Sequence, residues 1–175
     1  MTTGIYSIRR ATVEGFQFLP AVENAAGEVF KDIGYDDIAA MPPAPVDKYS
    51  DLLKVGGIVW TAENSDHEII AYCAVFPLKE GLYIKELSVH KLYAKQGLGS
   101  RLLKETLTAA KSEGYKSAFL LTFKNVPFNA PYYARFGFEI ITDLTPYPTL
   151  KRLAKAERKT PLWKYGRVAM KLNLT

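Results

Sequence analysis

Three short apolar segments follow one another in the middle of the chain, each closed by turn residues. Residues from about 58 to 62, 68 to 76 and 82 to 89 read as strands, separated by Asn64-Ser65-Asp66 and by Gly81, with Pro77 ending the second. Upstream, a strand is expected from about Ile5 to Ala11. Phe16, Leu19, Val22, Ala26, Val29 and Phe30 then recur at helical spacing and predict one helix over about 14–30, with Pro20 near its start. Met41-Pro42-Pro43-Ala44-Pro45 fits neither helix nor strand, and a short helix over 47–55 is stopped by Gly56-Gly57. Downstream, Leu98, Leu102, Leu103, Leu107 and Ala110 form the apolar face of an amphipathic helix capped at Gly114. Strands are expected over Ser117–Phe123, from Phe138 and over about 167–174, with helices over about 130–136 and 150–158. A meander followed by a strand–helix–strand unit implies an α/β (α+β) fold, a mixed and mostly antiparallel sheet flanked by helices.

Composition narrows the class. The chain has 175 residues, enough for one domain over 1–175 with a full core. Hydrophobic residues are 48% and charged residues 23%, an ordinary globular balance. Cys73 is the single cysteine, so no internal disulfide forms and a reducing, cytoplasmic setting is expected. No apolar run reaches the roughly 20 residues that span a bilayer, so no membrane partner is expected. The net charge of +5 permits anionic ligands without requiring nucleic acid.

The chemistry concentrates at Glu86-Leu-Ser-Val-His-Lys-Leu-Tyr-Ala-Lys-Gln-Gly-Leu-Gly-Ser-Arg-Leu-Leu103. A strand ends, a loop turns, and a helix begins at Gly97-Leu98-Gly99. Helix N-termini present unpaired N–H groups and a partial positive charge, and glycines let a diphosphate approach the backbone. Other phosphate loops fit worse. No G-x-x-x-x-G-K-[ST] string exists, and the third glycine of a dinucleotide fingerprint is missing after Gly97 and Gly99.

The segment resembles motif A of the GNAT acetyltransferases, [QR]-x-x-G-x-[GA], read here as Ala94-Lys95-Gln96-Gly97-Leu98-Gly99. Leu87-Ser88-Val89-His90 resembles the family's acyl-CoA strand. Asn129-Ala-Pro-Tyr-Tyr-Ala-Arg-Phe-Gly-Phe138 resembles motif B, with its Tyr-x-[KR]-x-Gly-Phe tail at Tyr133–Phe138. The resemblance covers nearly the whole chain. It implies acetyl-CoA as co-substrate, no metal, and cofactor contacts from Leu87, Ser88, Val89, Ala94, Lys95, Gln96, Gly97, Leu98, Gly99, Ser100 and Asn129. Ala94 departs from the family's Gln or Arg, and Lys95, Gln96 or Arg101 could compensate. By the same resemblance a backbone N–H near Val89 holds the oxyanion and Tyr133 is the general acid, a phenol protonated at pH 7 because its pKa is near roughly 10. Glu86, the carboxylate on the strand leading to the cofactor, is the candidate base; a water chain is the alternative. His90 and Cys73 read as structural.

Acceptor choice is expected from the connection around Asp36, Asp37 and Met41–Pro45, and from the loop over about 142–166, with Phe128, Tyr132, Tyr147 and Trp163 as pocket candidates. Lys151, Arg152, Lys155, Arg158, Lys159, Lys164 and Arg167 against Glu157 make the segment 151–167 basic. The expected reaction is acetyl transfer to a primary amine of a small-molecule acceptor, by direct attack in a ternary complex. A protein or peptide acetyltransferase and a non-catalytic acyl-CoA-binding regulatory module are the alternatives. An RNA-associated protein is a further reading, though nucleic acid is not the expected partner. A homodimer is common among such folds and is left open.

Overall fold

The computed structural model describes residues 6–174. In chain order the elements are β1 (Ser7–Arg10), α1 (Leu19–Gly27), α2 (Asp36–Ala39), α3 (Asp47–Lys54), β2 (Ile58–Glu63), β3 (Ile69–Leu78), β4 (Gly81–Val89), α4 (Leu98–Ser112), β5 (Ser117–Phe123), α5 (Ala130–Ala134), β6 (Glu139–Ile141), α6 (Pro148–Glu157) and β7 (Arg167–Asn173). The strands form a seven-stranded sheet in the order β1-β2-β3-β4-β5-β7-β6. It is mixed and mostly antiparallel, as expected from the sequence. Ile5 of the expected first strand lies outside the described residues.

Three boundaries differ from expectation. The single helix over 14–30 is instead a 3-10 turn (Val13–Phe18), then α1, then a second 3-10 turn (Glu28–Ile33). Pro20 sits in the first turn of α1, where a missing N–H costs nothing, so the α-helix begins there rather than at residue 14. The second strand of the meander does not end at Pro77 but runs to Leu78. Near a strand end, a residue without an N–H is tolerated. The helix expected over 130–136 stops at Ala134, and Gly137 takes a positive φ of 90° beyond it.

By compactness the chain divides into residues 1–76 with 86–109, and residues 77–85 with 110–175. In the first unit β1, β2 and β3 are antiparallel neighbours, with Thr61 opposite Tyr72 and Trp60 opposite Cys73. Successive strand side chains face opposite ways. Tyr72 and Ala74 therefore join Phe16, Leu19, Val22, Tyr49, Leu52 and Val59 in one core, where Phe16, Leu19 and Tyr72 are fully buried. Full burial of each such side chain stabilises by about 1.5–3 kcal/mol. Cys73 turns to the other face, toward Thr106 of α4.

In the second unit β5 is buried along its whole length. It pairs in parallel with the start of β4, at Leu82–Ala118 and Tyr83–Phe119, and antiparallel with β7 from Ser117–Asn173 to Phe123–Arg167. β7 in turn pairs with β6. A strand with neighbours on both sides and no exposed face reads as a continuous apolar run, which is what Ser117–Phe123 is. Gly81 begins β4 where a Cβ would fall 2.3 Å from the Ser117 carbonyl oxygen. The Glu80 carboxylate accepts from the Thr149 backbone N–H at 2.7 Å and from the Thr149 hydroxyl, capping α6. Leu150 and Ala154 of α6 point inward.

Candidate functional site

The turn between β4 and α4 is built from backbone that ordinary residues avoid. Lys95 has φ 61° and Gly97 has φ 78°. A non-glycine residue in this region costs of order 1 kcal/mol and persists only where the surroundings impose it. At Gly97 a Cβ would meet nothing within 4 Å, so the turn is open at this point. Arg101 N–H donates to the Gly97 carbonyl at 3.0 Å, the first bond of the fifteen-residue α4. The first-turn N–H groups of Leu98, Gly99 and Ser100 therefore point out of the helix end, where its dipole is positive. Leu98 is buried and anchors this turn, while Gly99 and Ser100 are half-buried. A cradle of N–H groups beside open space suits an anionic diphosphate.

Of the three side chains expected to compensate for Ala94, two are engaged within the turn's own surroundings. Gln96 accepts from the Tyr6 hydroxyl at 2.7 Å and donates to the Leu92 carbonyl at 3.3 Å. Arg101 reaches the Tyr6 carbonyl at 3.5 Å. Lys95 is exposed and is the cation left to approach a phosphate. Ala94 is extended, and its N–H donates to the Lys91 carbonyl at 3.2 Å. His90 accepts from the Leu92 N–H through Nδ1 at 3.2 Å and packs edge-on to Tyr93, which fixes the start of the loop.

Immediately before this turn, β4 carries Glu86, Leu87, Ser88 and Val89. Ser88 is buried and its hydroxyl donates to Glu86 Oε1 at 2.8 Å, so the serine orients the carboxylate. The Glu86 charge acts on Tyr72, Tyr49 and Cys73. Burial, then Glu86, then Glu23 and Tyr49 hold the Tyr72 phenol far above the ordinary tyrosine range. Burial likewise pushes the Tyr49 phenol up, against an opposing hydrogen bond from Tyr72. Both stay neutral at any physiological pH.

Sequence reasoning missed Glu23, Tyr49 and Tyr72. Tyr72 donates to Glu23 Oε2 at 2.7 Å, Tyr49 donates to the same oxygen at 3.0 Å, and Ala44 N–H donates to Oε1 at 3.3 Å. One signal was present. Glu23 stands four residues after Leu19 and one after Val22, a carboxylate on the apolar stripe of its helix, where a charged residue is rarely found unless it is paired.

In the second unit lie the two motif B residues. Tyr133 is buried, its ring edge-on to Phe138 at 5.8 Å and to Tyr132 at 5.3 Å between centroids. Asn129 precedes α5, and its side-chain oxygen is buried with no hydrogen-bond partner among the described residues. An orphaned amide oxygen of this kind fits an N–H or O–H donor brought by a ligand. The pocket candidates have packing roles here. Tyr147 lies against Phe119, Arg158 lies over Trp163, and Tyr132 packs on Phe136 and under Arg135; Phe128 is exposed. Of the basic segment, Arg167 is bound bidentately by Glu157, at 2.9 and 2.8 Å, and also donates to the Leu121 carbonyl. Thr142, Asp143, Thr145, Lys151, Lys155 and Arg158 line a cleft of about 320 Å³ in this unit.

Known proteins share this fold. Residues 55–140 match a family described as acetyltransferase (GNAT) domain. The fold resembles that of the ribosomal-protein-S18-alanine N-acetyltransferase from Escherichia coli, with a TM-score of 0.71, 14% identity and coverage of 98% of this chain and 95% of that one. It also resembles the PaiA N-acetyltransferase from Thermoplasma acidophilum in complex with coenzyme A, with a TM-score of 0.65, 13% identity and coverage of 97% and 99%. A third similar structure is a GNAT family acetyltransferase from Elizabethkingia anophelis with acetyl-CoA bound, with a TM-score of 0.61, 19% identity and coverage of 96% and 97%.

Proposed function

Because this chain belongs to the GNAT superfamily of acetyltransferases, we propose that it is a cytoplasmic acetyl-CoA-dependent N-acetyltransferase, its 175 residues working as one domain to acetylate a primary amine of a small-molecule acceptor in a ternary complex. The observation that carries this reading is the turn from Ala94 to Gly99. Its left-handed Lys95 and Gly97 expose the N-terminal N–H groups of α4 directly after β4. Acetyl-CoA, when bound, supplies an activated acyl carbon and a thiolate leaving group.

The chain's own residues then have separable tasks. The α4 N-terminus, with Lys95, neutralises diphosphate charge. Asn129 gives its orphaned oxygen to a cofactor donor. The Val89 backbone N–H stabilises the oxyanion as the C–N bond forms. Glu86, oriented by Ser88, accepts the proton that an ammonium must lose before its nitrogen can attack. Tyr133 donates the proton that the sulfur takes as the C–S bond breaks, and the net products are an amide, a thiol and one proton.

Calorimetry of acetyl-CoA on the wild type and on Gly99→Glu tests this. Glutamate at the helix N-terminus both fills the cradle and repels the diphosphate, so binding should weaken by more than about tenfold. Equal affinity of the two proteins, or no binding by the wild type, would sink the reading. With binding established, thiol release on a panel of amines and a peptide identifies the acceptor class, with Tyr133→Phe as the control for proton donation.

A further inference from the structure

Lys151, Lys155 and Arg158 follow one another at spacings of four and three residues. The two lysines lie within α6, and Arg158 caps it with helical backbone angles, φ −58° and ψ −20°. At about 100° per residue the three side chains start within about 60° of one another round the helix axis, so they form one row. That row lines the cleft of about 320 Å³ whose other residues include the stretch 142–145. The cleft lies wholly within the second unit and contains no residue of the turn between β4 and α4.

The charges in this cleft do not cancel. Two carboxylates beside α6 are committed elsewhere, Glu80 to Thr149 at the helix start and Glu157 to Arg167. Asp143 is the carboxylate in the cleft, and its Oδ1 accepts from the Thr145 N–H at 2.9 Å. Hydrogen bonds from Thr145, and then the Lys151 charge, hold this carboxyl below its ordinary range, so Asp143 offsets Lys151. Lys155 and Arg158 have no carboxylate partner among the described residues. Arg158 is oriented instead by the Trp163 ring, with its Cζ 4.9 Å from the centroid. A guanidinium lying on a ring keeps its N–H edge for a second partner. Three cations against one carboxylate leave two positive charges at a concave surface. Cations four residues apart on one helix face repel each other until a counter-charge enters.

We infer that this cleft is a binding site for a small molecule carrying a phosphomonoester. Such a group has a charge of about −1.5 to −2 at pH 7, which matches the two uncompensated cations, whereas a carboxylate matches only one. Lys155 meets it as a point charge and Arg158 through its two-pronged N–H edge. The Thr142 hydroxyl adds a neutral donor. The volume suits a small ligand. A nucleic-acid strand suits it less, because the Asp143 carboxylate in the same cleft repels a run of phosphates and Arg167 is held by Glu157. The inference does not depend on the N-acetyltransferase reading, and the binding it predicts is measured without turnover.

The probes are glycerol 3-phosphate, glycerate and glycerol, one skeleton with about two, one and no negative charges. Dissociation constants are read by NMR titration of the full chain at about pH 7.5, with and without saturating coenzyme A. The wild type should bind glycerol 3-phosphate at least about fivefold more tightly than glycerate, and glycerol not measurably. Lys155→Gln and Arg158→Gln should each weaken binding of the phosphate by at least about threefold, and Arg158→Lys should recover part of that loss. Arg152 is exposed on the same helix, about 100° round from Lys151 and outside the cleft, so Arg152→Gln should change nothing. An equal loss in Arg152→Gln would overturn the inference, since diffuse charge would then explain the binding. Equal affinity of the wild type for glycerol 3-phosphate and glycerate, or no binding of either, would do the same. Displacement of glycerol 3-phosphate by coenzyme A would make the cleft part of the cofactor's own seat and end the claim of a separate ligand. Tighter binding of a short single-stranded RNA, weakened alike by all three glutamine variants, would replace the small ligand with a nucleic acid. Phosphate binding by a protein that fails to bind acetyl-CoA would leave this site standing and remove the enzymatic reading instead.

Discussion

The buried phenol of Tyr72 donates to Glu23 Oε2 at 2.7 Å and so ties the middle of β3 to α1. Burial and the neighbouring carboxylates of Glu86 and Glu23 raise its pKa well above the value near roughly 10 that it has when unfolded. A group whose folded pKa is raised contributes stability that is full below the unfolded pKa and is lost as pH rises above it. Above about pH 10 the unfolded chain releases a proton that the folded chain keeps, and stability falls by about 1.4 kcal/mol per pH unit for each such phenol. Tyr72→Phe should therefore be less stable at pH 7, through the lost hydrogen bond, yet should lose stability more gently between about pH 10 and 11. Urea unfolding across that range checks the slope, and parallel slopes would contradict the assignment.

One face over, Cys73 is an inert thiol. Burial pushes its pKa up to about 12, partly opposed by the hydrogen bond with Thr106, and the Glu86 charge adds to the rise. The thiolate is the reactive form, so almost none is present at pH 8. Iodoacetamide should leave the native protein unlabelled at that pH and label it fully in denaturant, as mass spectrometry would show. Labelling of the native protein at the rate of a free thiol would contradict it.

The backbone of the β4–α4 turn gives a paired prediction. Gly97 sits at φ 78° with open space around it, so Gly97→Ala costs conformational energy without a clash, about 1 kcal/mol. Lys95 already bears such a cost at φ 61°. Lys95→Gly should therefore be neutral or stabilising by up to about 1 kcal/mol, while acetyl-CoA binding weakens because the charge is gone. Denaturant midpoints and calorimetry together separate the two effects.

The strands were legible because their apolar runs are short and bounded by turn chemistry. Ser117–Phe123 has the ends expected of it, since a strand buried on all sides is a continuous apolar word. The first helix was less so. The apolar spacing from Phe16 to Phe30 continues through both 3-10 turns, because periodicity reports which residues face a core and not which hydrogen-bond pattern carries them there. The turn between β4 and α4 was readable from Gly97 and Gly99, whose role in the backbone is local. The Glu23–Tyr49–Tyr72 group was not, because its members lie 26 and 49 residues apart and meet only through tertiary packing.

The basic segment looks different once its partners are known. Arg167 and Glu157 are each mostly buried, with side chains 11% and 16% exposed, and form a bidentate pair at the start of β7. The guanidinium also lies 4.6 Å over the Phe123 ring and donates to the Leu121 carbonyl at 3.0 Å. A fork of this kind is held by geometry as well as by charge, and it cannot also serve a ligand. Removing one partner leaves the other charge buried and unpaired, which costs more than the pair itself contributes. Glu157→Gln should therefore destabilise by about 2 kcal/mol or more, lowering the urea midpoint. Arg158, exposed over Trp163, offers the contrast, for Arg158→Gln should cost less than about 0.5 kcal/mol. Lysine at 167 would keep the charge but not the fork, so Arg167→Lys should recover only part of the loss. If Arg167→Lys matched the wild type, the charge alone would be what holds β7 to α6, and the planar fork would be incidental.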